Sequence, residues 1–176
     1  MTISHLKNIL IPPHSQNENG AGETWPLIDG QITFPTDYIE FIESYGTGRI
    51  ADFIAILNPF TKNEDINFFE QKKLILEDFN YLINEDSSYY KYNLYPNKGG
   101  LLPVGITDNG DYLFWVVFDA EKSDEWGTAI IASRSPDVEY FNEKITSLLL
   151  GVLDKKIKPA SFPDAFPYKK ITFDKI

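Results

Sequence analysis

The sequence of 176 residues contains no cysteine, which excludes disulfide bonds, thiolate zinc sites and cysteine nucleophiles. Only two histidines occur, His5 and His14, and no G-x-S-x-G segment is present, so nothing indicates a serine hydrolase triad. No apolar run approaches the roughly 20 residues of a membrane span, and the first ten residues lack the pattern of a secretory signal. We therefore expect a cytoplasmic protein that does not enter a membrane.

Positive charge is also scarce. The chain has 16 Lys and Arg against 26 Asp and Glu, a net charge of −10. Because an acidic surface repels phosphates, we expect no nucleic-acid partner; the charge favours a basic protein partner or simply a well-solvated surface. The end of the chain differs, because residues 154–176 contain six Lys, three Asp and three Pro. This composition predicts an irregular basic tail over residues 154–176.

Apolar and aromatic residues are plentiful. Hydrophobic residues make up 43% of the sequence and include 13 Phe, 10 Tyr and 3 Trp. A chain of this length buries about 70% of its unfolded surface without metal or disulfide crosslinks. The composition therefore predicts one domain over residues 1–176.

Residues 46–51, GTGRIA, match the G-x-G-x-x-A form of the dinucleotide-binding fingerprint. That fingerprint requires a strand before the glycines and a helix after them. Here the order is reversed. A helix is predicted to begin near Pro35 and to end at Gly46, as a C′ glycine in the left-handed conformation, and residues 50–57 predict a buried strand. The apolar stripe of this helix consists of Tyr38, Phe41, Ile42 and Tyr45. The glycines therefore indicate a turn, and no nucleotide cofactor is expected.

The remaining patterns alternate between helical and strand periodicity. They predict helices over residues 2–10, 64–83 and 142–153, and strands over 101–107, 112–118, 128–133 and 138–141. Asn109-Gly110 between two apolar runs is a strong hairpin signal. Together these elements predict an α+β fold, with an antiparallel-dominated mixed sheet of about four to six strands packed with three to four helices.

Two segments resemble motifs of the SUKH superfamily. Residues 34–50, FPTDYIEFIESYGTGRI, are similar to its L-P-x-D-Y-x-x-F-L-x-x-Y-G-x-G-x-I opening. Residues 102–115, LPVGITDNGDYLFW, are similar to its P-F-G-x-T-x-N-G-D-x-x-x-W hairpin, although Phe34 and Val104 depart from the usual Leu and Phe. The resemblance covers a core over about residues 25–153 and leaves the tail without a counterpart.

The resemblance implies an α+β fold and a non-catalytic protein-binding function. Many bacterial members of the superfamily are immunity proteins that bind and neutralise a cognate toxin, and others are regulatory adaptors, including regulators of fungal cell-wall synthesis. We therefore expect an immunity protein without catalytic residues, cofactor or metal site. The alternatives are an adaptor of the same fold, or a carboxylate-based hydrolase, which would need a deep pocket holding two acids, one with a raised pKa.

Acidic residues beside aromatic residues are the best candidates for partner contacts. Such pairs combine attraction for a basic toxin domain with side chains that often dominate binding energy. One group comprises Asp119, Glu121, Asp124, Glu125 and Trp126, and a second comprises Glu85, Asp86, Tyr89 and Tyr90. The alternative for each group is a solvated loop without a binding role.

Overall fold

The computed structural model describes residues 2–168 and 170–176. Its helices are α1 (Thr2–Ile9), α2 (Thr36–Tyr45), α3 (Phe68–Glu85) and α4 (Ile145–Leu153). Its strands are β1 (Gly48–Ile50), β2 (Ile54–Ile56), β3 (Gly100–Thr107), β4 (Tyr112–Val117), β5 (Gly127–Ile131), β6 (Glu139–Phe141) and β7 (Phe173–Lys175). Within the described residues, no helix combines the length and the apolar character that crossing a membrane requires.

All seven strands form one sheet in the order β6-β5-β4-β3-β2-β1-β7, and the pairings between these strands are antiparallel. The predicted α+β fold class is confirmed. The sheet differs from the prediction in two details, because it has seven strands rather than four to six and contains no parallel pair between the named strands. The extra strands come from a hairpin hidden in an apolar run and from the end of the tail.

The hidden hairpin replaces the single strand predicted over residues 50–57. Ala51 and Asp52 have φ angles of 49° and 51°, and the amide of Phe53 donates to the carbonyl of Ile50 at 3.0 Å. Turns with two positive φ angles usually contain Asn or Gly. This turn contains neither residue, so the sequence did not indicate it. The prediction of one continuous strand over residues 50–57 was therefore wrong.

The two glycines of the fingerprint-like segment both permit close backbone approach. Gly46 ends α2 as predicted, but its φ of 70° and ψ of −143° lie outside the left-handed helical region. A Cβ atom at Gly46 would lie 2.0 Å from the carbonyl oxygen of Asn17, and one at Gly48 would lie 2.5 Å from the ring of Phe173. The segment therefore serves chain packing, as the turn interpretation predicted.

The tail is not irregular throughout. The rings of Phe162 and Phe166 pack on Phe53, with centroids 5.2 Å and 4.9 Å apart. Phe173 then pairs with Ile50 as the first residue of β7. The prediction of an irregular tail over residues 154–176 was therefore wrong at its end, because three phenylalanines among the lysines fasten the segment to the sheet.

Helices pack on both faces of the inner strand β4. Successive side chains of a strand point to opposite faces. The ring of Phe114 lies 5.4 Å from Phe79 of α3, whereas the ring of Trp115 lies 5.0 Å from Tyr38 of α2. The core is therefore continuous through the sheet, and the loops at the two ends of β4 and β5 remain exposed.

Candidate functional site

The two predicted groups of contact residues lie at opposite ends of β4 and β5. The first group follows Val117 and precedes Gly127, where β4 ends and β5 begins. In the second group, Tyr90 shares a groove with Tyr112 and Ser133, where β4 begins and β5 has ended. Six strand residues span about 20 Å. The two groups therefore belong to separate surfaces. We call the first the acidic loop (residues 119–126) and the second the tyrosine groove, which is lined by Asp78, Phe79, Tyr81, Leu82, Tyr90, Tyr112, Ser133 and Arg134. Of the second predicted group, only Tyr90 is among these lining residues.

Trp126 of the acidic loop belongs to the core. Its side chain is only 3% exposed, and its ring lies 5.8 Å from that of Trp115. Its Nε1 donates to the carbonyl oxygen of Asp119 at 2.7 Å, which closes the loop on itself. A buried indole offers little surface to a partner, so the structure favours a role for Trp126 in shaping the loop over the predicted role in direct contact.

Asp124 is also engaged within the fold. Helix α2 follows Pro35, whose side chain has no polar atom that could cap the exposed amides of the first turn. The Asp124 carboxylate accepts hydrogen bonds from the backbone N of Thr36 at 2.6 Å and from its Oγ1 at 2.9 Å. The backbone hydrogen bond from Thr36 is the main cause that lowers the pKa of Asp124 below its ordinary value. Asp124 therefore joins the acidic loop to α2.

The remaining acids of the loop, Asp119, Glu121 and Glu125, are exposed. Phe118 immediately precedes them and is 64% exposed, so an apolar ring lies in solvent beside these acids. Phe118 borders a cleft of about 580 Å³ that also includes Tyr95. Phe118 was not among the predicted contact residues. All residues of the strand predicted over 112–118 are apolar, so the sequence pattern did not indicate which of their side chains would be exposed.

The tyrosine groove has a volume of about 640 Å³. One wall is the outer side of α3, where Tyr81 is 63% exposed and Asp78 is exposed. Phe79 is buried, with its ring 5.4 Å from that of half-buried Tyr112. The segment after β5, including exposed Arg134, also lines the groove. Tyr81 and Asp78 were not among the predicted contact residues, although a tyrosine on the polar side of a helix indicates a candidate contact.

A turn after α3 positions Tyr89 and Tyr90. The Oδ1 atom of Asp86 accepts hydrogen bonds from the backbone N of Ser88 at 3.1 Å, its Oγ at 2.6 Å and the backbone N of Tyr89 at 3.0 Å. The side-chain hydrogen bond from Ser88 is the main cause that lowers the pKa of Asp86 below its ordinary value. Asp86 therefore shapes the turn, while Glu85 and Tyr89 are exposed, the latter by 55%.

Tyr92 attaches this segment to the sheet. Its hydroxyl donates to the carbonyl of Ser135, and its ring lies 4.8 Å from Phe79 and 5.7 Å from Tyr90. Burial is the main cause that raises the pKa of Tyr92 to about 12, and the nearby Tyr90, Tyr89 and Asp137 add to it. The aromatic row from Phe79 to Tyr89 is therefore held in place at one end by the core.

The described residues offer little for metal or acid–base chemistry. Within residues 2–168 and 170–176, no group of three potential metal ligands is assembled. The carboxyl groups of Glu18, Asp29, Asp86, Asp124, Asp154 and Asp164 have a lowered pKa. A carboxyl general acid requires the opposite shift.

Comparison with known families identifies the central part of the chain. Residues 30–149 match the model of the SMI1/KNR4 family (SUKH-1), which comprises protein-interaction modules with immunity or regulatory roles and is generally non-catalytic. The match contains both motif segments and both candidate surfaces, whereas α1 and β7 lie outside it. A search of curated proteins and a search of solved structures each gave no significant match. Because the matched region spans well over half of the sequence, the chain belongs to the SMI1/KNR4 family (SUKH-1).

Proposed function

We propose that this chain is an immunity protein that binds a cognate toxin in the cytoplasm and blocks it as a stoichiometric inhibitor. The observation that carries the proposal is membership of a family of protein-interaction modules with immunity or regulatory roles. The acidic surface supports the immunity role in particular. A toxin that acts on nucleic acid is basic because it must bind phosphates, and a chain of net charge −10 attracts such a partner over a long range.

The acidic loop is the first proposed contact surface. Asp119, Glu121 and Glu125 supply exposed negative charge, and Phe118 beside them supplies an exposed apolar anchor. The hydrogen bonds made by Asp124 and Trp126 hold the loop in one shape. A loop ordered before binding loses less conformational entropy when the complex forms. Asp124 and Trp126 therefore act as positioning residues, and the other four as contacts.

The whole chain, residues 1–176, is proposed to act as one domain. The segments outside the family match pack against the matched region, since Phe173 pairs with Ile50 and the hydroxyl of Tyr45 donates to the carbonyl of Leu10 at 2.6 Å. No direct contact with nucleic acid is proposed, because the acidic surface repels it.

The proposal is tested by co-expression with a neighbouring toxin. The C-terminal domain of the large protein encoded beside this chain is expressed in a host cell with and without this protein. Suppressed killing and co-purification at a fixed ratio are the expected results. A domain that kills regardless of this protein, or that does not bind it, overturns the immunity role. A non-toxic partner recovered at fixed stoichiometry instead assigns the chain to the regulatory adaptors.

A further inference from the structure

We propose that the tyrosine groove is a receptor for an arginine side chain that a basic protein partner presents. This inference deepens the proposed function, because it takes the partner to be a basic protein and assigns it a second contact at the end of the sheet opposite the acidic loop. Three features of the groove support it: aromatic faces open to solvent, a carboxylate beside them, and a rigid frame.

The aromatic faces suit a planar cation. Tyr81 is 63% exposed on the wall of α3, and half-buried Tyr90 and Tyr112 line the same cavity of about 640 Å³. A guanidinium group stacks on tyrosine faces, and it is more weakly hydrated than an ammonium group. An arginine therefore enters such a groove at a smaller desolvation cost than a lysine.

The charge around the groove places the cation on one side. Asp78 lines the wall of α3 and is exposed. Burial raises the pKa of Tyr112 above its ordinary value, and the negative charge of Asp78 raises it further, so the two side chains are close enough to interact through their charges. Arg134 also lines the groove. A guest guanidinium is therefore attracted by Asp78 and repelled by Arg134, so its preferred position is on the side of Asp78.

The frame of the groove is fixed before any partner arrives. Phe79 is packed between the rings of Tyr92 and Phe114, at 4.8 Å and 5.4 Å, so the helix that carries Asp78 and Tyr81 cannot shift easily. Tyr92 attaches the neighbouring turn to the segment after β5 through the carbonyl of Ser135. Preformed geometry favours binding because few side chains must be ordered.

The test uses small probes and therefore does not depend on identifying the partner. The isotope-labelled full chain is titrated with N-acetyl-argininamide, and in parallel with N-acetyl-citrullinamide, which has the same shape without the charge. We expect saturable NMR shifts of the Tyr81 and Tyr112 rings and of the Ser133 amide with the arginine probe. The citrulline probe is expected to bind at least about fivefold more weakly, because it lacks the cation–π and ionic contributions.

Two exposed positions provide the variants. Asp78→Asn and Tyr81→Ala are each expected to weaken the arginine probe about threefold to fivefold. Glu70→Gln is the control, because it removes the same charge from an exposed site about 12 Å along α3. Absence of saturable shifts, equal shifts with both probes, or an equal effect of Glu70→Gln overturns the proposal.

The outcomes separate this inference from the proposed function. If the groove binds arginine selectively but toxin rescue fails, the immunity role is wrong and the receptor groove remains. If rescue succeeds but the probes do not bind, the groove is wrong and the immunity role remains.

Discussion

Two segments with acidic residues beside aromatic residues lie at opposite ends of the β4–β5 hairpin, but their side chains are buried and exposed in different ways. In the acidic loop, the aromatic Trp126 is buried and Asp124 caps α2. At the tyrosine groove, Tyr81 is largely exposed and Asp78 is exposed beside it. Composition alone therefore does not separate these two cases, because burial decides which side chains are accessible to a partner.

Each end nevertheless has one acid that shapes it. Asp124 accepts two hydrogen bonds from Thr36, and Asp86 accepts three from the turn that contains Tyr89. The hydrogen bonds of Asp86 are local, whereas those of Asp124 join segments 88 residues apart, and each set holds its segment in one conformation. The two surfaces thus share a design, in which one carboxylate orders the segment and its neighbours face solvent.

The comparison between buried Trp126 and exposed Phe118 predicts the largest effect. Trp126→Ala is expected to lower the free energy of unfolding by about 3–5 kcal/mol, because it removes a packed indole from the core. Phe118→Ala is expected to change it by less than about 1 kcal/mol, since the ring is mostly in water. Urea unfolding of both variants measures the difference. Similar losses in the two variants would contradict the assignment of Trp126 to the core.

Much of the fold could be predicted because its elements have clear periodicity. The apolar stripe from Tyr38 to Tyr45 correctly predicted α2, and Asn109-Gly110 correctly predicted the β3–β4 hairpin. The turn at Ala51 and Asp52 was missed because it contains no glycine or asparagine and Ala51 rarely adopts positive φ. At the candidate site, the roles of Asp124 and Trp126 depend on Thr36 and Trp115, which are distant in sequence. Local patterns do not contain that information.

The exposed acids of the loop provide the second prediction. Glu121→Lys combined with Glu125→Lys is expected to slow association with the toxin domain about tenfold at low salt, because it reverses the charge that attracts a basic partner. The effect is expected to shrink as salt is added. Stopped-flow or surface-based kinetics measure it. The control is Glu40→Lys with Glu43→Lys on the exposed side of α2, which changes the net charge equally. An equal slowing by the control would mean that overall charge, and not the loop, governs association.

The third prediction concerns Asp124 as a positioning residue. Asp124→Ala is expected to lower the free energy of unfolding by about 1 kcal/mol, the usual effect of removing a helix cap. Glu125→Ala removes the adjacent exposed acid and is expected to change the stability by less than about 0.5 kcal/mol. Denaturant unfolding at one pH compares them. If the two variants were equally stable, the hydrogen bonds between Asp124 and Thr36 would make no measurable contribution to the free energy of unfolding.

The fourth prediction tests the opposite end of the hairpin at high pH. Tyr92→Phe is expected to cost about 1 kcal/mol near pH 8, because it removes the hydrogen bond to Ser135. The folded chain holds the pKa of Tyr92 at about 12, above its unfolded value of about 10. The hydroxyl therefore stabilises the fold fully below about pH 10, and this contribution is lost as the pH rises through about 12. Unfolding of both chains near pH 8 and pH 11 should show the difference narrowing. A constant difference would contradict the raised pKa.

The fifth and smallest effect concerns the pH dependence of stability in the acidic loop, where the pKa shift has the opposite direction. The pKa of Asp124 is lowered in the fold, mainly by the backbone hydrogen bond from Thr36. Its charge therefore stabilises the fold above the unfolded value of about 3.9, and this contribution is lost as the pH falls through the lower folded value. The stability difference between the natural chain and Asp124→Asn should fall by a few tenths of a kcal/mol between about pH 6 and pH 3. Unfolding of both chains at these two pH values measures it. A difference that stays constant between the two pH values would contradict a stabilising role for the Asp124 charge.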